Sequence, residues 1–173
     1  PRRLLVMGGG PIGCELAQAF NRLGAQVILV DMMPRILPRE DEDVSAFIRQ
    51  CFVTEGIEVL TEHQSIGFER RGDETVALLE TNGEKKVVAF DKVLVAVGRK
   101  ANTAGMGLES IGIELNPNGT VTVDDYLRTR YPNIFACGDV AGPYQFTHTA
   151  AHQAWYAVVN ALLNDGKISF RAI

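Results

Sequence analysis

The sequence predicts an α/β fold, a Rossmann-like parallel sheet carrying an antiparallel β-meander, followed by a segment of looser texture. Three observations carry that expectation. Strand-like apolar runs alternate with amphipathic helical runs over roughly the first 60 residues. Gly72-Asp73 and Asn82-Gly83 then divide short alternating segments as hairpin turns would. Finally, "GGGPIG" stands where the first apolar run gives way to the first helical one.

Taken in order, "RRLLVMG" is a first strand, and Pro11 suits the opening turn of a helix that Gly24 ends. Within that helix Ile12, Leu16, Ala19, Phe20 and Leu23 recur at helical spacing. "AQVILVD" is a second buried strand. A second amphipathic helix runs through Val44, Phe47, Ile48, Cys51 and Phe52 to Gly56, and "IEVLT" is a third strand. The β-α-β-α-β order implies parallel pairing with right-handed crossovers. "SIGFERR", "TVALLET" and "KKVVAF" form the meander, and "KVLVAVG" returns as a buried strand. A domain boundary is expected near residues 99–103. Beyond it "TVTVD" and "NIFACGD" read as short strands, and a helix follows from Thr147 to about Asn164.

Composition narrows the class. The 173 residues are 46% hydrophobic and 22% charged, enough apolar material for a sizeable core. A formal net charge of −4 without any basic block argues against a nucleic-acid partner. No apolar run approaches the roughly 20 residues of a membrane span, and no export signal is visible, so the cytoplasm is the expected location. Cys14, Cys51 and Cys137 are too scattered for a metal spacing or a dithiol motif, and Cys51 is expected to pack as a small hydrophobe. His148 and His152 share a helix face but lack a third ligand, so no metal site is expected.

Gly8, Gly10 and Gly13 satisfy G-x-G-x-x-G between a strand and a helix, with Pro11 and Ile12 inside the same turn. Gly8 permits the tight turn, Gly10 lets a pyrophosphate approach the backbone, and Gly13 lets helix and strand pack closely. A glycine-rich connection without a ligand would also satisfy this pattern. Asp31 shifts the balance, because it ends the second strand near the ~20-residue offset at which an acid receives ribose hydroxyls. Its carboxylate would repel a 2′-phosphate, and Met32 and Met33 offer no compensating cation, so NAD is expected over NADP. Arg35 is the one nearby cation that could reach a phosphate, although it also reads as a surface residue near a helix start. Glu15 favours the helix dipole simply by standing in the first turns. Asp139 reads equally well as an ordinary Gly-Asp turn residue.

"GGGPIGCELA", the Asp31 strand end, "VLVAVGRKANT" and "NIFACGDVAG" occur in an order and spacing that resemble the pyridine nucleotide-disulfide oxidoreductases over essentially the whole chain. This is the flavoprotein family of dihydrolipoamide dehydrogenase, mercuric reductase and glutathione reductase. "GRKAN" lacks the proline that many members carry before the asparagine, and the likeness is greatest on the dihydrolipoamide dehydrogenase, mercuric reductase and soluble transhydrogenase side. The resemblance implies NAD held by Gly8, Gly10, Pro11, Ile12, Gly13, Asp31 and Met32, with Glu15 beside the nicotinamide, where it often pairs with a flavin-side lysine. It implies that Gly98 ends the strand at which the chain returns to an FAD domain. Asp139 would accept a hydrogen bond from the FAD ribityl chain, and the helix start at Thr147 and His148 would direct backbone N–H groups at the flavin.

The family's Cys-x-x-x-x-Cys, its first glycine loop and its His-Glu pair are not in this sequence, nor is the Cys-x-x-C of thioredoxin reductases. The resemblance therefore implies an NAD-binding domain at residues 1–100 and the C-terminal part of an FAD domain at 101–173. Both would belong to a homodimeric, FAD-dependent oxidoreductase that passes hydride between NAD(P)H and flavin, with its remaining FAD and interface domains outside this stretch. The rival expectation is a non-catalytic dinucleotide-binding module acting as a sensor or regulator.

Overall fold

The computed structural model describes residues 1–163 and 168–170. The chain divides into two compact units, Pro1–Gly98 and Arg99–Ile173.

The first unit is built on a parallel sheet of β1 (Arg3–Met7), β2 (Gln26–Val30), β3 (Glu58–Leu60) and β7 (Lys92–Val95), in the order β3-β2-β1-β7. β1 lies between β2 and β7, with Leu5 opposite Ile28 on one side and Val93 on the other. Two helices, α1 (Pro11–Arg22) and α2 (Glu42–Thr54), make the connections between β1, β2 and β3. The remaining strands, β4 (Gln64–Arg71), β5 (Glu74–Thr81) and β6 (Glu84–Phe90), form the antiparallel meander. Its hairpin loops are Gly72-Asp73 and Asn82-Gly83; the latter pair has φ of 51° and 82°, the geometry a type I′ turn needs.

Alternation along β1 explains the layering. Leu4 and Val6 enter one core with Cys14, Ala17, Leu29 and Phe52, the helix side. Leu5 enters a second core with Val30, Ala77, Leu79, Val88 and Phe90, the meander side. Both faces of β1 and β2 are thus covered, which is why these strands read as apolar runs. Arg3 closes one end: its guanidinium reaches Asp91 at 2.9 Å and Glu74 at 2.7 Å, and its N–H donates to Asp91 at 2.8 Å.

Four sequence expectations are corrected. In α1 the residues that face the core are Gly13, Cys14 and Ala17, while Ile12, Leu16, Ala19 and Leu23 of the anticipated stripe are exposed. Helix and sheet approach so closely there that only small side chains fit between them. In α2 the inward residues are Ser45 and Phe52, with Ile48 packed against the same core, and Val44 and Phe47 are exposed. Ser45 sits inward because its hydroxyl donates to the Ile36 carbonyl at 2.7 Å. β7 is not the buried strand expected, since Lys92, Val93 and Val95 are exposed, and it ends at Val95, three residues before Gly98, whose φ is +110°. "TVTVD" and "NIFACGD" are not strands among the described residues, since each makes one isolated bridge, Leu115 with Val121 and Arg128 with Phe135. The flanking backbone bonds, such as Thr122 N–H to Glu114 O at 3.0 Å and Ala136 N–H to Leu127 O at 3.0 Å, extend the pairing no further than these bridges.

The second unit has little regular structure: short 3-10 turns at Glu109–Ile111 and Gly138–Val140, and α3 (Thr147–Leu162). The expected end of that helix, Asn164, lies outside the described residues. No helix of the described residues is long and apolar enough to cross a membrane.

Candidate functional site

The glycine turn follows β1 directly and continues its hydrogen bonding, with Gly8 N–H donating to Val30 O at 2.8 Å. Two of its three motif glycines are demanded by the chain itself. A Cβ on Gly13 would stand 1.8 Å from the Gly8 carbonyl oxygen, and one on Gly8 would stand 2.3 Å from that of Ala96. Gly8 also has φ of +105°, where other residues are strained. Gly10 differs. Its φ is −74°, and a Cβ there would meet nothing within 4 Å. Neither its backbone angles nor its packing asks for a glycine at this half-buried position.

Gly10 is also the N-cap of α1, and no side chain caps that end. The first N–H groups of a helix have no intrahelical acceptor, so this end attracts an anion. No acid stands in the first turn, Pro11 opens it, and Pro11, Ile12 and Glu15 are all exposed.

Asp31 leaves β2 beside this turn and braces it. One carboxylate oxygen accepts from Gly9 N–H at 2.5 Å and the other from Met33 N–H at 2.7 Å. Gly9 is held from its other side too, its carbonyl accepting from Leu37 N–H at 2.6 Å and from the Cys14 thiol at 3.3 Å. A carboxylate has about four lone-pair positions, so two remain for a ligand's hydroxyls. Met32 is exposed next to it. Arg35 is half-buried, donating to Pro38 O at 3.3 Å and standing 3.3 Å from Glu42. Cys14 lies beneath the turn, and its pKa is pushed up to about 12 by burial and by the negative charges of Asp31 and Glu15.

The second unit brings together the other anticipated residues. Asp139 lies in the 3-10 turn Gly138–Val140, half-exposed, 3.6 Å from the Arg99 guanidinium. Arg99 donates in addition to Gln145 O at 2.8 Å, just before α3. Thr147 and His148 open α3, exposed; its N-terminus has neither a side-chain cap nor a first-turn acid, and Phe146 stacks on His148 at 5.3 Å. A cavity of about 760 Å³ lies alongside, lined by Val121, Leu127, Tyr144, His148, His152 and Gln153 among others. Among the described residues no group of three or more His, Cys, Asp or Glu side chains is placed to hold a metal ion.

Sequence reasoning missed Gln153, which is 1% exposed and bonded at both ends of its amide, and Glu55, which ties α2 to Gln18, Asn21 and Arg22 of α1. Both act on groups distant in sequence, and no local spacing announces such bonds.

A parallel sheet in the order β3-β2-β1-β7 whose first strand turns through glycines into a helix defines a Rossmann-like α/β protein. Residues 1–154 match the family described as pyridine nucleotide-disulphide oxidoreductase, and the chain belongs to that family. It is 38% identical over 173 residues to the dihydrolipoyl dehydrogenase of Thermus scotoductus, covering 99% of this chain and 38% of that protein. It is 35% identical over 162 residues to the mercuric reductase of Bacillus cereus, covering 94% of this chain and 26% of the relative. Among solved structures, the Cu(II) complex of the HOCl-induced flavoprotein disulfide reductase RclA from Escherichia coli superimposes with a TM-score of 0.88 at 31% identity, covering 100% of this chain and 39% of that one. The chain thus spans less than two fifths of the length of these relatives.

Proposed function

We propose that residues 1–100 form the NAD-binding domain, and residues 101–173 the C-terminal part of the FAD-binding domain, of a dihydrolipoamide dehydrogenase-like oxidoreductase. The observation that carries the reading is Gly10: a glycine that neither the backbone angles nor the packing requires, at an uncapped helix start. A pyrophosphate on the N–H groups of Gly10, Ile12 and Gly13 explains it. Asp31 receives the adenosine ribose on its remaining lone pairs, Met32 lies beside it, and Glu15 faces the nicotinamide side.

Asp139 and the start of α3 at Thr147 and His148 hold the ribityl chain and one edge of the flavin, and Gly98 marks the return to the FAD domain. The uncapped α3 N-terminus stabilises negative charge placed before it. Bound FAD supplies the acceptance and return of hydride from the nicotinamide. The intact protein is a homodimer with small-molecule partners and a cytoplasmic location. Catalysis is favoured over a binding module because the relatives are reductases and dehydrogenases.

Titration of the chain with NADH and NADPH tests the reading. NADH is expected to bind at least tenfold more tightly. Replacing Asp31 by Ser together with Met32 by Arg should narrow or invert the ratio, at some cost to both ligands because Asp31 also braces Gly9. Equal affinities in the starting sequence would overturn the NAD assignment.

A further inference from the structure

We propose that Gln153 is the positioning residue for the Asp139 turn, setting it against the N-terminus of α3; this rests on the reading of both as parts of a flavin site. Gln153 lies on α3, two turns after its start, and is 1% exposed. Its Oε1 accepts from Gly138 N–H at 2.6 Å, and its Nε2 donates to Gly142 O at 3.2 Å. The two bonds bracket Asp139. Between them the chain closes on itself, Ala141 and Gly142 N–H both donating to Gly138 O at 2.9 and 3.1 Å. Gly138, with φ of +75°, brings the turn so near the helix that a Cβ would stand 3.2 Å from the Ala150 side chain.

A buried amide without partners is costly, so a glutamine at this depth commits the turn to one placement. Its carboxamide offers an acceptor and donors together, as the two bonds require. Arg99 cannot do the same for Asp139, because both are half-exposed at 3.6 Å and such pairs are weak. Gln153 therefore orders the turn before any cofactor arrives, and binding does not have to supply that ordering. Glutamate in its place could make both bonds only when protonated, since an ionised carboxylate faces the Gly142 carbonyl with no hydrogen to give.

The test uses two readouts. In the 173-residue chain, amide exchange at Gly138 is measured by NMR for the starting sequence and for Gln153→Leu, where exchange at least tenfold faster is expected. In the flavin-loaded intact protein, FAD retention is measured for Gln153→Leu, Gln153→Glu and Asp139→Ala. Gln153→Leu should weaken FAD at least tenfold, and Gln153→Glu should retain it in acid and lose it as pH rises, beyond any change that His148 and His152, which line the same cavity, give the starting sequence. Unchanged Gly138 exchange in Gln153→Leu overturns the proposal, as does FAD loss in Asp139→Ala but not in Gln153→Leu. If Gln153→Leu does not fold, a pH-independent Gln153→Glu overturns it. FAD retained in Asp139→Ala overturns the flavin reading instead, and Gly138 exchange still decides the role of Gln153.

Discussion

Gly13 and Gly10 look equivalent in sequence, yet they answer to different masters. A methyl on Gly13 would have to occupy the space of the Gly8 carbonyl, 1.8 Å away, so Gly13→Ala is expected to destabilise the fold by about 3 kcal/mol or more. Gly10→Ala meets open space and should cost about 1 kcal/mol at most, the weak N-cap preference against alanine, while lowering NADH affinity about tenfold or more. Chemical denaturation and NADH titration of the two variants separate the effects; a Gly10→Ala chain that binds NADH normally would mean that no ligand approaches there. Cys14 gives a second prediction at this scale. With its pKa pushed up to about 12 and its thiol buried against Gly9 O, it should react with a thiol reagent at neutral pH on the order of a thousandfold slower than a free cysteine, and readily once denatured. Mass-spectrometric labelling checks it, and rapid labelling of the folded chain would count against the packing described.

Among the elements, β1 and β2 were legible because burial on both faces writes apolar runs, and the meander because glycine-containing turns punctuate its short strands. The helices were legible as helices but not in orientation. Apolar spacing in α1 named Ile12, Leu16 and Leu23, whereas contact with the sheet selects the small residues Gly13, Cys14 and Ala17. "TVTVD" alternates as a strand should, but its pairing stops at one bridge with Leu115, an extent that alternation alone does not set. The tie between the parallel sheet and the meander was equally invisible, since Arg3, Glu74 and Asp91 are scattered in sequence. Backbone and side-chain hydrogen bonds from Arg3 hold the Asp91 carboxyl below its usual range. A carboxylate with a lowered folded pKa adds stability that is present above its unfolded value, about 3.9, and lost as pH falls through the folded value. The stability gap between the starting sequence and Asp91→Asn should therefore be wide near about pH 7 and narrow at about pH 2.5. Urea denaturation at the two pH values measures it; a gap that grows in acid would contradict the assigned bonds.

On the scale of the whole molecule, the two units are stabilised by different means. Both hydrophobic clusters, with every strand that builds them, lie within Pro1–Gly98. The second unit adds buried polar groups to a smaller apolar set that includes Ile113, Val121 and Leu127: Thr103, Thr120, Thr129, Gln153 and Asn160 are buried there, against Ser45 alone in the first among the described residues. Asn160 shows the style, its amide bonded to Tyr126 O, Ile168 O and Ile168 N–H. A unit that owns its core should fold without its neighbour, and each residue proposed for NAD, from Gly8 to Met32, lies inside the first unit. Residues 1–98 expressed alone are therefore expected to unfold cooperatively and to bind NADH within about threefold of the 173-residue chain, a difference of about 0.7 kcal/mol or less. Calorimetric titration and thermal unfolding of the two chains measure both quantities. A well-folded 1–98 that has lost NADH would place part of the dinucleotide site beyond Gly98, and the division of labour between the units would have to be redrawn.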